Sequence, residues 1–155
     1  MDWRQGPPHN LPMSNTLYEQ DFHAWAMHQA TLLREGRLDL ADIENIAEEI
    51  ESMGRRERRE LTNRLAVLLT HLLKWRYQPS YRSKSWQLTI KEQRRATARH
   101  LRENPSLKAL LDQAMDDAYG DATLKAARET GLDLFPETSP FTFDQAIDDD
   151  FWPGA

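Results

Sequence analysis

The chain has 155 residues, no cysteine and a formal net charge of −5. That length suits one domain of roughly 100–200 residues, and the missing thiols exclude a disulfide framework, a thiolate metal centre and a cysteine nucleophile. No apolar run approaches the roughly 20 residues that span a bilayer, and Met1–Pro8 lacks the apolar stretch of a signal peptide. The expectation is a cytoplasmic, bacterial-type chain with no membrane partner.

Residues 1–15 are rich in Pro and Asn and carry no periodicity, which predicts a disordered or extended tail, with Met1–Pro12 as an extension. Residues 16–155 predict a single all-α domain, a bundle of about four main helices. Thr16 with Glu19 three residues on fits a capping box. Tyr18, Phe22, Trp25, Leu32 and Leu33 then recur at helical spacing until Gly36, a residue that favours a helix end.

From Asp39 the apolar positions Leu40, Ile43, Ala47, Ile50, Gly54, Leu61, Leu65, Leu68 and Leu72 form a heptad-like seam. No cap residue follows Gly54. The spacing therefore predicts one long central helix from about Asp39 to Tyr77, against the alternative of a break with Gly54 as the left-handed residue after a shorter helix. Leu65–Leu73 is apolar nearly all round, the pattern of a buried central element. An unbroken helix of that span is about 58 Å long, whereas a compact globule of this length is about 39 Å across. Either the helix breaks, or its uncovered end, with Ile43, Ile46 and Ile50, packs on something, most simply a second copy.

Gln78-Pro79-Ser80 stops the long helix. Ser83 or Ser85 caps the next, with Trp86, Ile90, Thr97 and Leu101 facing inward. Asn104-Pro105 predicts a further start, Asn as cap and Pro in the first turn, with Leu107, Leu110, Leu111, Ala114, Ala118 and Tyr119 on one stripe. Gly120 weakens that helix and Gly131 ends it. Thr142 with Gln145 predicts a short capped C-terminal helix.

The net charge hides a segregation. Arg55–Arg102 holds 14 Lys/Arg and 3 Asp/Glu, a balance of +11, whereas the other 107 residues hold 6 and 22, a balance of −16. Inside the basic block, Lys74-Trp75-Arg76-Tyr77 and Tyr81-Arg82-Ser83-Lys84-Ser85-Trp86 interleave cations with rings, the composition of a single-strand nucleic-acid surface. Arg82, Lys84, Lys91, Arg95, Arg99 and Arg102 are the candidate contacts. The plainer account packs Trp75 and Trp86 in the core and pairs the stripe Lys91, Arg95, Arg99 and Arg102 with acidic helices. Glu51–Arg55 and Glu60–Arg64 have the spacing of favourable helical pairs.

Catalytic signals are few. No Asp or Glu precedes a His by three residues, and no His-Glu-x-x-His, phosphate loop or Gly-x-Ser-x-Gly elbow occurs. No metal or cofactor is expected. Arg76 falls close to the seam, where a guanidinium needs a carboxylate, a cleft mouth or a route to solvent.

Leu17-Tyr18-Glu19-Gln20-Asp21-Phe22 with Trp25, then Glu48-Glu49-Ile50-Glu51-Ser52-Met53-Gly54 and His71-Leu72-Leu73-Lys74-Trp75, then Ser85-Trp86, Ile90, Arg94, Pro105-Ser106-Leu107, Tyr119 and Ala122 together resemble the bacterial family catalogued as domain of unknown function 29. The resemblance covers about Leu17 to Phe151. It implies an all-helical bacterial domain and brings no established activity, cofactor or catalytic residue. Its signature positions include Glu48, Glu49, Glu51, His71, Lys74 and Arg94. With Arg76 they make the candidate polar cluster, provided that they converge in space. The functional expectation is a non-enzymatic interaction module that forms a homo-oligomer, favouring a dimer. The alternative is a nucleic-acid-directed protein, either a single-strand binder or a metal-dependent, nuclease-like component of a defence or toxin–antitoxin system, with Glu48 and Glu49 holding Mg²⁺.

Overall fold

The long central helix runs without interruption through Gly54. In the computed structural model, which describes residues 13–154, the elements in chain order are α1 (Met13–Gln20), α2 (Phe22–Arg34), α3 (Ile43–Tyr77), α4 (Lys84–Glu103), α5 (Leu111–Thr130) and α6 (Phe143–Ile147). Three-residue and six-residue 3-10 turns, Pro79–Tyr81 and Pro105–Leu110, precede α4 and α5. No strand occurs among the described residues, and the fold is all-α. Among the same residues no helix is long and apolar enough to cross a membrane. The expected tail Met1–Pro12 lies outside the described residues.

The described residues fall into two compact units that divide between Arg55 and Arg56. The first contains α1, α2 and the opening turns of α3. Its fixed point is Trp25, which is buried. The ring of Tyr18 meets it edge-on at 4.7 Å, and its indole N–H donates to Asp42 at 3.1 Å. Gln29, also buried, accepts the Asp42 backbone N–H at 2.7 Å. Asp42 in turn accepts the Asn45 side-chain amide at 2.8 Å, at the start of α3.

The second unit is built round the later half of α3. Leu61, Leu65, Leu68, Leu69, Leu72 and Leu73 are fully buried. They meet Ile90 and Leu101 of α4 and the small-residue face of α5, Ala114, Ala118, Ala122 and Ala126, with Met115 and Tyr119. Phe141, Ala146, Phe151 and Trp152 bring the C-terminal segment into the same core. The small side chains of this α5 face leave room for the leucines of α3 within the shared core.

Several boundaries differ from expectation. Thr16 does not open the first helix. α1 begins at Met13, and a fresh start follows at Asp21, whose carboxylate accepts the Ala24 N–H at 3.0 Å and so caps α2. α3 begins at Ile43 rather than near Asp39, because Arg37, Asp39 and Leu40 are held in a turn by the Arg37–Asp39 ion pair and the Leu40 N–H to Arg37 carbonyl bond. Asn104 does not open an α-helix but closes α4. Its side chain donates back to the His100 carbonyl at 3.1 Å, and Pro105 opens a 3-10 turn instead. Elsewhere Ser83 caps α4, Gly131 ends α5 at φ 74°, Gly120 leaves α5 unbroken, and Thr142 with Gln145 closes a reciprocal capping box.

Gly54 adopts no left-handed conformation, and a Cβ added there would meet nothing within 4 Å. Glycine in a helix interior carries an entropic cost of roughly 0.5–1 kcal/mol relative to alanine. Gly54→Ala should therefore raise the urea-unfolding free energy by about that amount. A loss of stability would show that residue 54 ends a helix.

Candidate functional site

The seven polar candidates do not form one cluster. Glu48, Glu49 and Glu51 belong to the first unit, and the others to the second. The two adjacent glutamates go to different partners: Glu48 pairs with Arg55 at 2.8 Å, whereas Glu49 accepts the Tyr18 hydroxyl. Glu51 adds a longer contact to Arg55 at 3.7 Å. Successive helical positions diverge by about 100°, so neighbouring carboxylates face different ways, and the proposed Mg²⁺ pair does not arise. The Glu49 carboxylate instead pushes the Tyr18 phenol up to about 12, chiefly by accepting its hydrogen bond.

In the second unit Lys74 contacts Glu129 at the end of α5, and His71 lies within electrostatic reach of both. The Lys74 ammonium donates to Glu129 at 2.8 Å and lies over the Trp86 ring at 4.7 Å. That hydrogen bond lowers the Glu129 carboxyl below its usual range. His71 lies 2.8 Å through Nδ1 from the Val67 carbonyl, an acceptor, so Nδ1 carries the proton. Burial holds the imidazole below its ordinary value of 6.5, the cation of Lys74 adds to the effect, and the Val67 carbonyl and Glu129 oppose it. Arg76 is exposed, with its guanidinium over the Tyr77 ring at 5.5 Å. It reaches solvent and makes no core contact.

Arg94 stands apart from these, with 1% of its surface exposed. Its Nε donates to the Ala146 carbonyl at 2.7 Å and its Nη2 to the Phe151 carbonyl at 2.6 Å. The Arg94 guanidinium lies over Trp152 at 5.2 Å, Trp152 packs at a tilt on Trp75 at 4.8 Å, and the Arg82 guanidinium lies over Trp75 at 5.1 Å. Arg82 also donates to the Trp75 carbonyl at 2.7 Å and to the Gly154 carbonyl at 3.0 Å. The result is a connected set of two cations and two rings, each contact of a kind worth roughly 0.5–2 kcal/mol. It consumes much of the interleaved basic and aromatic composition. Trp75, Trp86 and Arg82 are half-buried and each has an intramolecular partner.

The remaining basic candidates stay free. Lys84, Lys91, Arg95, Arg99 and Arg102 are exposed. None of the stripe Lys91, Arg95, Arg99 and Arg102 pairs with an acid among the described residues, so the expected pairing with acidic helices does not occur. Lys91, Arg95 and Arg102 line a shallow groove against Ile147 and Asp149. A different set, not singled out by sequence, is gathered where α3 passes α4. Glu57, Glu60 and His100 place potential ligand atoms within 4.8 Å of one another. Their sequence signal was the i,i+3 spacing of two carboxylates on one helical face. His100 comes from another helix, 40 residues on.

His71 carries a pH dependence of known sign. A base whose proton affinity falls on folding is fully stabilising above its unfolded value, and that contribution is lost as pH falls. Urea-unfolding free energies should therefore drop as pH falls below about 6.5, and His71→Leu should flatten that part of the profile. The Glu129 contribution, a lowered carboxyl, would fade only at more acidic pH. Equal slopes in the two proteins would contradict the assignment.

Comparison with known families gives one finding. The family described as domain of unknown function DUF29 matches residues 17–152, nearly the whole chain, and the chain belongs to it. No curated protein and no solved structure matches the chain.

Proposed function

We propose that this member of the DUF29 family is a non-enzymatic interaction module that self-associates through the first part of α3. The observation that carries the reading is an uncovered stretch of seam. Ile43, Ile50 and Met53 are 50%, 63% and 59% exposed, on the same helix whose later leucines are fully buried. Covering a large aliphatic side chain completely is worth roughly 1.5–3 kcal/mol, so three together favour a partner.

A second copy fits that stretch. Ile43, Ala47, Ile50 and Gly54 follow a 4-3-4 spacing that reads the same in both directions. Two antiparallel copies about a two-fold axis therefore superimpose the apolar set on itself, with Ile43 against the partner's Gly54 and Ala47 against the partner's Ile50. Gly54 has open space where a side chain would begin, which admits the facing isoleucine. The same arrangement carries the Arg55–Arg59 run toward the partner's Asp39–Glu44 stretch, so opposite charges flank the apolar strip.

Light scattering at several hundred micromolar chain should give about twice the 18.1 kDa chain mass. Ile50→Glu should give a helical monomer, because the position is exposed within its own chain. A wild-type mass that stays at 18.1 kDa would overturn the reading.

One observation favours a second reading. Lys91, Arg95, Arg99 and Arg102 are exposed cations with no ion pair among the described residues. A phosphate backbone is the simplest ligand for such a stripe. The net charge of −5 counts against it, since nucleic-acid binders are usually basic. Retention of single-stranded RNA that falls steeply with salt, and that is lost on reversing Arg95 and Arg99, would support this second reading.

A further inference from the structure

We propose that Glu57, Glu60 and His100 form a binding site for a divalent first-row transition ion, zinc being the best fit. The inference is independent of self-association. It starts from the protonation of one ring. His100 lies on α4 with 5% of its surface exposed, and its Nε2 is 2.8 Å from the backbone carbonyl of Glu57. A carbonyl only accepts, so Nε2 carries a hydrogen. In the neutral imidazole, Nδ1 then presents a lone pair. That lone pair faces the Glu60 Oε2 at 3.2 Å. Two acceptors at that separation repel unless something positive lies between them, either a second ring proton or a metal cation.

The spacing suits the cation. Zinc binds imidazole nitrogen and carboxylate oxygen at about 2.0–2.1 Å in tetrahedral geometry, which sets two such ligands about 3.3 Å apart. The outer contacts also match those of a metal centre. A ligating histidine normally donates its other ring N–H to a carbonyl or carboxylate, which fixes both tautomer and ring orientation. Here Nε2 lies 2.8 Å from the Glu57 backbone carbonyl. A ligating carboxylate is commonly held by its second oxygen. Here Arg64 donates to Glu60 Oε1 at 2.8 Å, leaving Oε2 for His100.

Glu57 completes the set. It lies one helical turn before Glu60, is exposed, and offers an oxygen within 4.8 Å of the other two ligand atoms. Three protein ligands leave a fourth position open. Glu60 and Arg64 also line a groove with Arg56, Arg59 and Gln93. An exchangeable water or a small anion would occupy the open position. Without cysteine the site has one nitrogen and two oxygens, a set that takes zinc, cobalt or manganese in preference to soft monovalent copper.

Cobalt(II) and zinc(II) titrations of the full chain test the proposal. Wild type should bind one cobalt per chain with visible d–d absorption, displaced by one equivalent of zinc. Glu60→Gln and Glu57→Gln, at positions with 42% and 48% of the side chain exposed and with helical content verified by circular dichroism, should each weaken binding at least tenfold. His100→Gln should abolish it. If His100→Gln does not fold, the two glutamate variants decide the matter. Absence of stoichiometric binding by wild type, or binding by the glutamate variants as tight as wild type, would overturn the site and leave a second ring proton as the charge between Nδ1 and Glu60.

Discussion

Arg94 has a hundredth of its surface in contact with solvent and no carboxylate within ion-pair distance among the described residues. A buried guanidinium is costly unless its donors are used. Burial pushes its proton affinity below the ordinary range, and Asp149 and Asp148 oppose that shift from a distance. Its Nε and Nη2 satisfy carbonyls at Ala146 and Phe151, either side of the turn that follows α6, while its Nη1 is buried without a hydrogen-bond partner. Those carbonyls belong to a segment too short and too acidic to hold itself. The segment Phe141–Trp152 supplies Phe141, Ala146, Phe151 and Trp152 to the core. Closure of the second unit's core thus depends on a cation that reaches from α4 to hold backbone in place. Arg82 does the same further along, at Pro153 and Gly154.

α3 serves two environments with one repeating pattern. After Arg56 its seam is fully covered by α4 and α5. Before Gly54 the same spacing leaves isoleucines and a methionine in water. The change in charge coincides with the change in burial, acidic from Glu44 to Glu51 and basic from Arg55 to Arg64. Exposed ion pairs along this helix, such as Glu51–Arg55 and Glu60–Arg64, contribute little to stability by themselves. Glu60 contributes to more than one, because its second oxygen faces His100.

Much of the fold was legible in the residues. Periodicity from Leu61 to Leu73 identified the buried helix, since such leucine density has no solvent-facing solution. Ser83, Gly131 and the Thr142–Gln145 pair were readable because each acts locally. Thr16 misled, since the hydroxyl pattern is weak and Asp21 offers a stronger cap five residues on. Pro105 predicts a helix start, but a proline also suits the 3-10 turn that it opens.

The polar positions were less legible because pairing across helices is not encoded by spacing along one. Glu48, Glu49, His71 and Arg94 were grouped by sequence, yet each takes its own partner. The basic and aromatic interleaving around Trp75 suggested a ligand surface. Trp75 is joined instead to Trp152, a residue 77 positions later whose role no local pattern announces. His100 was overlooked for the same reason: its partners lie 43 and 40 residues earlier, on a different helix.

The most direct measurement is urea unfolding of Arg94→Leu beside Arg95→Leu, its exposed neighbour. Removing Arg94 strands two carbonyls, each costing roughly 1–3 kcal/mol when buried without a donor, and releases Trp152. A loss of about 2–5 kcal/mol is predicted, with proteolysis of the chain after Thr142 accelerated under native conditions. Arg95→Leu should stay within about 0.5 kcal/mol of wild type. Equal stability of Arg94→Leu and wild type would show that the C-terminal segment is held by its aromatic side chains alone, contradicting the central role given to the buried cation.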